Sequence, residues 1–452
     1  MSERPNILFI IADDHRHDAV GAFGDPVVQT PALDSLARQG TAFRHTYIMG
    51  GLSGAVCVPT RAAVHTGASV FRATPGAMVE GGSHLTIDPS FTLLPETFRS
   101  NGYSTFGTGK WHNDRASFNR CFADGGNIFF GGMCDQDRVP VHQYDPSGAY
   151  PAENRTRATG FSTELFCDTA IDFLASHAAE GLGDDEPFFL YVSLTSPHDP
   201  RMAPAPYSHM YLPDEMPIPP NFATEHPFDN GDMVLRDETL TAFPRTHQAI
   251  QRHMADYYAM ITHQDNQIQR LLDSLATCGF DENTIVVYTS DHGLSVGQHG
   301  LMGKQNMYDH SVRIPLIISG PSIPVGQEVH GLAYQMDIFP TLCGLAQVPT
   351  PSTVEGETLV PQMRGQETKG RESVLSVYRD VQRMVTDGEW KYIQYTPSPI
   401  TRKGSDRIQL FHIKDDPWEL KDLSGERAYQ AEVARLSAIL SDWQIQSGDF
   451  LQ

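Results

Sequence analysis

Two adjacent aspartates, Asp13 and Asp14, close an apolar run that begins at Asn6. After a buried strand their carboxylates repel each other unless a cation lies between them. Asp291 and His292 stand at the end of a second run, Thr284–Thr289, and add a carboxylate and an imidazole. Carboxylate oxygens gathered from two strand ends suit Ca²⁺ or Mg²⁺, and the imidazole moves the preference slightly toward Mn²⁺. Taken singly, each pair reads equally well as a loop pair or a helix cap. At matching ends of two buried strands, a metal site is the stronger reading. Cys57 opens Cys-Val-Pro-Thr-Arg and leads into Ala62-Ala-Val-His-Thr-Gly67. Pro59 belongs in a first helical turn, which sets Cys57 at a helix N-terminus, where the dipole favours negative charge. Arg61 follows one turn later on roughly the same face, placed to hold Cys57 and an anion beside it. By residue type alone Cys57 is either a candidate nucleophile or a small buried apolar side chain.

Two more apolar runs end in reactive clusters. Gly102–Gly107 is followed by Thr108-Gly-Lys110-Trp-His112, and Pro187–Leu194 by Thr195-Ser-Pro-His198-Asp199. Short, continuous runs rich in β-branched and aromatic residues predict strands buried on both faces of a mainly parallel sheet. Helical patterns alternate with them over 30–40, 161–177 and 246–278, the last stopped by Gly279. The fold class is therefore α/β, with a large mainly parallel sheet sandwiched by helices. In such sheets ligands bind beyond the carboxyl ends of the strands, where all four clusters fall. Insertions at 113–160 and 199–245 are expected to wall the site. From about Arg371 the tail changes character, with antiparallel strands predicted at 389–395 and 407–413 and an amphipathic helix at 427–446. We expect a catalytic domain over 1–370 and a small α+β subdomain over 371–452.

The composition narrows the function. Across 452 residues, 33 Lys and Arg face 55 Asp and Glu, a net charge of −22, which argues against nucleic acid and anionic membranes as partners. No apolar run reaches the ~18–20 residues of a membrane span. The six cysteines contain no C-x-x-C pair, so neither a disulfide framework nor a thiolate zinc site is expected. Met1-Ser-Glu-Arg-Pro-Asn shows no basic and apolar leader, and the expected location is cytoplasmic.

Cys57-x-Pro-Thr-Arg61 followed by a helix and Thr-Gly resembles the signature of the type I, formylglycine-dependent sulfatases of the alkaline-phosphatase superfamily. The opening Pro-Asn-Ile-Leu-Phe-Ile-Ile-Ala-Asp-Asp, Gly109-Lys110-Trp-His112, Ser196-Pro-His198, Ser290-Asp-His-Gly293 and Gly303-Lys304 resemble other motifs of that family, in order. Asp387-Gly-Glu-Trp-Lys-Tyr and Asp416-Pro-Trp-Glu-Leu resemble its carboxyl-terminal subdomain. The resemblance implies that a separate maturation enzyme oxidises Cys57 to Cα-formylglycine, whose hydrate attacks the sulfur of a sulfate ester. It implies one divalent ion, Ca²⁺ ahead of Mg²⁺ or Mn²⁺, held by Asp13, Asp14, residue 57, Asp291 and His292. It implies that His198 protonates the leaving oxygen, that Lys304, Lys110 and Arg61 hold the sulfate, and that His112 takes a proton from the second hydroxyl so that sulfate is expelled. Thr60 stands where the family often has Ser, and His292 where many members have Asn.

The expected substrate is a small sulfated sugar or another small organic sulfate. A phosphonate monoester or phosphodiester hydrolase of the same superfamily is the alternative, and a non-catalytic scaffold with unmodified Cys57 is a second one. His15, His17, His65, His299 and His310 are expected to serve structure or the rim of the site, and Trp111 to form wall or core. Cys121, Cys134, Cys167, Cys278 and Cys343 carry no motif and are expected as buried thiols. Oligomeric state is not readable from the sequence.

Overall fold

Along the strand β1 (Asn6–Asp13) every residue is buried, and the side chains alternate between two cores. Ile7, Phe9 and Ile11 join Ala62, Val64, Phe98 and Phe339 on one face, while Leu8, Ile10 and Ala12 join Leu33, Phe166, Ile268 and Leu271 on the other. A strand with period-two side chains and no polar face must lie between two helical layers. The computed structural model describes residues 4–74, 86–181, 186–366 and 368–449, and within them that sandwich is the architecture.

The other strands of the large sheet are β2 (Gly40–Tyr47), β3 (Ser104–Lys110), β4 (Asp124–Phe129), β5 (Phe188–Pro197), β6 (Thr284–Ser290), β7 (Arg313–Ser319) and β8 (Gln327–Tyr334). Their order is β8-β2-β7-β6-β1-β5-β3-β4. β1 runs parallel to both neighbours, with Ile7 opposite Phe189 of β5 and Ile285 of β6, and β3 runs parallel to β5. Only β7 reverses, pairing antiparallel with β2 and β6. The sheet is thus mixed and mainly parallel, as expected. The four strands that end in reactive clusters are contiguous at its centre, β6-β1-β5-β3, so their carboxyl ends share one rim.

The helices that matter for the site are α1 (Pro31–Gln39), α2 (Cys57–Thr66), α3 (Ser162–Ala179) and α4 (His247–Thr277). Thr246 caps α4 by accepting from the Ala249 N–H at 3.2 Å. Asp265, midway along α4, accepts from the Ala32 and Leu33 N–H groups at 2.9 Å each and so caps α1 from a different helix. Among the described residues, no helix is long and apolar enough to cross a membrane.

A second sheet comprises β9 (Val374–Tyr378), β10 (Gln382–Thr386), β11 (Lys391–Tyr395) and β12 (Arg407–Phe411), covered by α5 (Gln430–Ser447). The predicted helix start at 427 is a tighter 3₁₀ turn, Arg427–Tyr429, and the α-helix begins one turn later. The sheet does not stop at the tail. Its fifth strand is Gly50–Gly51, which pairs parallel with Val377 and Tyr378 of β9. The insertion at 113–160 contributes β4 and the small ribbon Pro140–Val141 with Thr156–Arg157, whereas 199–245 holds only 3₁₀ turns.

Candidate active site

The rim of the central strands is built by tight turns. Asp14 follows β1 in the left-handed region at φ +69°, unusual for a residue with a Cβ. The Tyr257 hydroxyl of α4 donates to the Asp14 carbonyl at 2.7 Å and accepts from the Arg16 N–H at 2.9 Å, which fixes that turn. Asp14 N–H in turn donates to Asp291 Oδ1 at 3.1 Å, and Asp291 N–H donates to the Ala12 carbonyl at 3.1 Å. The ends of β1 and β6 are therefore knitted together, and their carboxylates converge. On β3, Gly109 lies at φ +90°, and a Cβ there would sit 1.8 Å from the Ser193 carbonyl oxygen of β5. Glycine lets β3 close on β5 and delivers Lys110, its last residue, to the rim.

Cys57 is the first residue of α2, and all ten residues of that helix are buried. Its Sγ lies 3.6 Å from Asp13 Oδ1 and 3.0 Å from Lys304 Nζ. One potential ligand atom each from Asp13, Asp14, Cys57 and Asp291 lie within 4.8 Å of one another, all four side chains buried. Lys304 Nζ donates to both Asp14 oxygens at 2.6 and 2.8 Å, and Lys110 Nζ pairs with Asp13 Oδ2. The loop that presents Lys304 is gripped by buried Glu238, which accepts from Met302 N–H and Gly303 N–H at 2.9 Å each and from Arg245 Nη2 at 2.7 Å.

Arg61 spends two of its three nitrogens on the protein and keeps a buried Nη2 without a partner. Its Nε donates to Asp291 Oδ2 at 2.8 Å, and Nη1 donates to Ser193 Oγ at 2.7 Å and the Lys110 carbonyl at 3.0 Å. Fully buried, it is a strut tying α2 to β3, β5 and β6, and the cation at the Cys57 sulfur is Lys304. His292 also stands off the four-residue cluster, with Nε2 and Thr60 Oγ1 hydrogen-bonded at 3.1 Å. His198 Nδ1 donates to the Asp199 carbonyl at 2.6 Å, which leaves Nε2 to face Asp14 Oδ2 at 3.7 Å. His112 adopts φ +54°, has a buried Nδ1 without a partner, and lines a cavity of about 470 Å³ with Phe129, Phe130, Arg115, His142 and Arg155.

The charges explain one another. Burial, reinforced by Asp13 and Asp291 against Lys304 and His198, raises the Asp14 carboxyl to about 6. Burial would raise Asp13 too, but Lys110, His198 and Arg61 hold it well below the usual carboxylate range. The Cys57 thiol is pushed well up by burial and by Asp291. His112 is held well below its ordinary value by burial and by Lys110 and Arg61, and His292 falls to about 4 chiefly through burial. Three carboxylates converge in a buried space with Asp14 driven toward its protonated form, an oxygen-rich donor set that fits a divalent cation.

Sequence patterns had pointed to Asp13, Asp14, Cys57, Asp291, Lys110 and Lys304, which the structure gathers. Tyr257, Ser193 and Glu238 were not foreseen. Tyr257 lies within a long amphipathic helix and Glu238 in an irregular insertion, and neither carries a local signal. His65 packs between Trp111 and Tyr191, with ring centroids at 4.5 and 5.2 Å. Cys121, Cys167 and Cys343 are buried free thiols, and Cys134 and Cys278 are partly exposed ones.

A family model described as Sulfatase matches residues 5–348, and one described as N-sulphoglucosamine sulphohydrolase, C-terminal, matches residues 297–446. An ulvan-active sulfatase of Formosa agariphila is 27% identical over 467 residues, covering 99% of this chain and 82% of the relative. The fold is shared with a protein solved in complex with its substrate D-glucosamine-2-N,6-O-disulfate (TM-score 0.76, 23% identity, 99% of both chains). It is shared also with a phosphonate monoester hydrolase of Agrobacterium radiobacter (TM-score 0.75, 22% identity, 98% of this chain and 96% of the other). With the first model covering most of its length, the chain belongs to the sulfatase family of sulfate-ester hydrolases.

Proposed function

We propose that the protein hydrolyses the sulfate ester of a small sulfated sugar, with residue 57 matured from cysteine to Cα-formylglycine. The observation that carries this reading is the position of Cys57. It starts a buried helix with Sγ 3.0 Å from Lys304 Nζ, inside a cluster of three carboxylates. The ulvan-active relative and the glucosamine disulfate complex support a sulfated sugar as substrate.

Asp13, Asp14 and Asp291, with residue 57, would hold a divalent cation, Ca²⁺ ahead of Mg²⁺ or Mn²⁺, which when bound supplies Lewis-acid polarisation of the sulfate and of the residue-57 hydroxyl. Lys304 and Lys110 bring ammonium groups to the same rim, where they balance the negative charge that grows on sulfate oxygens. His198 holds its Nδ1 proton against the Asp199 carbonyl, so Nε2 is the atom that delivers a proton to the departing alcohol. His112 is kept neutral by burial and by Lys110, and its unpartnered Nδ1 accepts the proton released when sulfate is expelled. Arg61 fixes Asp291 and the start of α2 relative to β3 and β5 through Nε and Nη1, and its buried Nη2, without a protein partner, is the atom left for the sulfate.

The test is to express the chain with and without a formylglycine-generating enzyme and to measure the intact mass of the Cys57 peptide. The aldehyde is ~18 Da lighter than the thiol. The matured protein is then given aryl sulfate, aryl phosphodiester and a panel of sulfated monosaccharides. Faster turnover of sulfate esters supports the reading. A preference for the diester by orders of magnitude transfers the chain to the phosphonate and phosphodiester hydrolases, consistent with the shared fold of the Agrobacterium enzyme. A thiol that persists in the presence of the maturation enzyme supports a scaffold.

A further inference from the structure

Three residues beyond His198, the Arg201 side chain presents an anomaly. Its Nε and Nη2 are both buried and both lack a hydrogen-bond partner, and among the described residues no other arginine has two such nitrogens. These two nitrogens form the edge of the guanidinium that accepts a carboxylate side-on. Elsewhere in this chain the same edge is filled. Arg371 uses Nε at 3.0 Å and Nη2 at 2.5 Å on the two oxygens of Asp337, and Arg383 uses Nε at 2.5 Å and Nη2 at 2.9 Å on Asp449. Arg16 grips Asp18 in the same way, with Nε at 2.8 Å.

The rest of the Arg201 guanidinium is held in place. Nη1 donates to His253 Nδ1 at 2.8 Å, and burial followed by the Arg201 charge lowers His253 to about 4, so that its ring is a neutral acceptor. The Tyr257 ring lies beneath, with its centroid 5.9 Å from the guanidinium carbon. Asp14, Asp199 and Asp256 are within electrostatic range, yet none of them accepts from the Nε/Nη2 edge. Asp14 accepts from Lys304, and Asp199 accepts from Arg236 Nη2 at 3.1 Å. A buried guanidinium with an unpaired fork is costly unless a ligand completes it. Its charge acts on Asp14 of the carboxylate cluster and on Asp199, the residue after His198. His198 delivers its proton to the departing alcohol, and Tyr257, under the guanidinium, carries the hydroxyl that fixes Asp14.

We propose that Arg201 is a specificity-determining residue whose Nε/Nη2 edge receives a second oxyanion, a carboxylate or a further sulfate, on the alcohol portion of the substrate. This rests on the sulfate-ester reading above. A paired-oxygen anion satisfies both donors at once. A neutral sugar hydroxyl satisfies one and leaves the other buried and unpaired, which is the arrangement that discriminates strongly between substrates.

The experiment compares matched esters on the matured holoenzyme: sulfated hexoses, the corresponding sulfated hexuronates and disulfated hexosamines, with an aryl sulfate as reference. The readout is the ratio of kcat/KM for each anion-bearing ester to that of its neutral counterpart, in the wild type, R201M and R201K. We expect a wild-type ratio of about ten or more, collapse toward one in R201M, and partial recovery in R201K, which restores the charge without the fork. The uronate and disulfate arms tell which oxyanion is read. A wild-type ratio near one, or equal loss on every ester in R201M, overturns the proposal. If the wild type hydrolyses neither aryl nor sugar sulfates, the sulfatase reading fails by itself. Arg201 is then judged by whether glucuronate, and not its methyl ester, raises the melting temperature of the wild type but not of R201M.

Discussion

Replacing Tyr257 by phenylalanine removes one oxygen atom from the middle of α4, yet it should disable the site. That hydroxyl donates to the Asp14 carbonyl at 2.7 Å and accepts from the Arg16 N–H at 2.9 Å. Both backbone groups lie in a buried turn outside any strand ladder, so Y257F leaves a donor and an acceptor stranded. Each stranded group costs about 1–3 kcal/mol, and the pair about 2–4 kcal/mol once some relaxation is allowed. Relaxation is available because Asp14 sits at φ +69°, a conformation costing ~1–2 kcal/mol that the hydroxyl helps to enforce. As the turn relaxes, the Asp14 carboxylate withdraws from Lys304 and from its place beside Asp13 and Asp291. A displacement near 1 Å at reacting groups lowers turnover by roughly 100-fold. The assay is urea denaturation of Y257F and wild type, followed by kcat on an aryl sulfate and the concentration of divalent ion giving half-maximal activity. Lower denaturation midpoint, lower kcat and weaker ion dependence are expected together. If Y257F unfolds at the wild-type midpoint with unaltered kcat, Tyr257 does not hold this turn.

Glu238→Ala should cost about 3–5 kcal/mol, because it leaves Arg245 buried without its partner and frees the Met302 and Gly303 amides. Its kcat should fall with the loosening of Lys304, and E238Q should restore part of both, as followed by melting and turnover. Chelation should lower the melting temperature and abolish turnover, since Asp13, Asp14 and Asp291, although each is paired with one of Lys110, Lys304 and Arg61, still bring ligand atoms within 4.8 Å of one another and repel unless a cation lies between them, and Ca²⁺ should restore both at lower concentration than Mg²⁺. Melting unchanged by chelator together with no bound metal by elemental analysis contradicts the cation site. Burial raises the Asp265 carboxyl to about 7 against the opposing pull of the Ala32 and Leu33 amides. The folded chain therefore keeps a proton that the unfolded chain releases between about pH 4 and pH 7, and this group's contribution to stability falls as pH rises through that window. D265N should flatten that dependence in chemical denaturation measured from pH 5 to 8, and parallel curves for mutant and wild type would refute it.

Much of the site could be read from local pattern because chemistry sits where elements end. Asp13, Lys110 and Asp291 each stand at or next to the last residue of a strand that is buried along all or nearly all of its length, and Cys57 opens a helix marked by Pro59. The strands that escaped notice have broken patterns for physical reasons. β2 carries Arg44 and His45, β8 carries Glu328 and His330 at the sheet edge, and β7 has Pro315 inside its apolar run. What local pattern lacks is partner choice over long separations. Arg61 was expected to face Cys57 because both lie on one face of a helix, but Asp291, 230 residues away, takes its Nε. Glu238 and Tyr257 reach the site only through the fold of an insertion and a long helix, and nothing in their neighbours' identities announces it.

The pairing of Gly50–Gly51 with β9 has a consequence for timing during synthesis. The segment leading to Cys57 gains its strand partner only from Val377 and Tyr378, which leave the ribosome long after it. Until then that stretch lacks its strand partner, and under the maturation proposed above an enzyme needing an extended peptide around Cys57 would have to grip it in that interval. Once the late strands dock, every residue from Cys57 to Thr66 is sealed inside. The folding speed of the final strands would then act as a clock on that maturation, and slowing their arrival would lengthen the interval in which residue 57 can be altered.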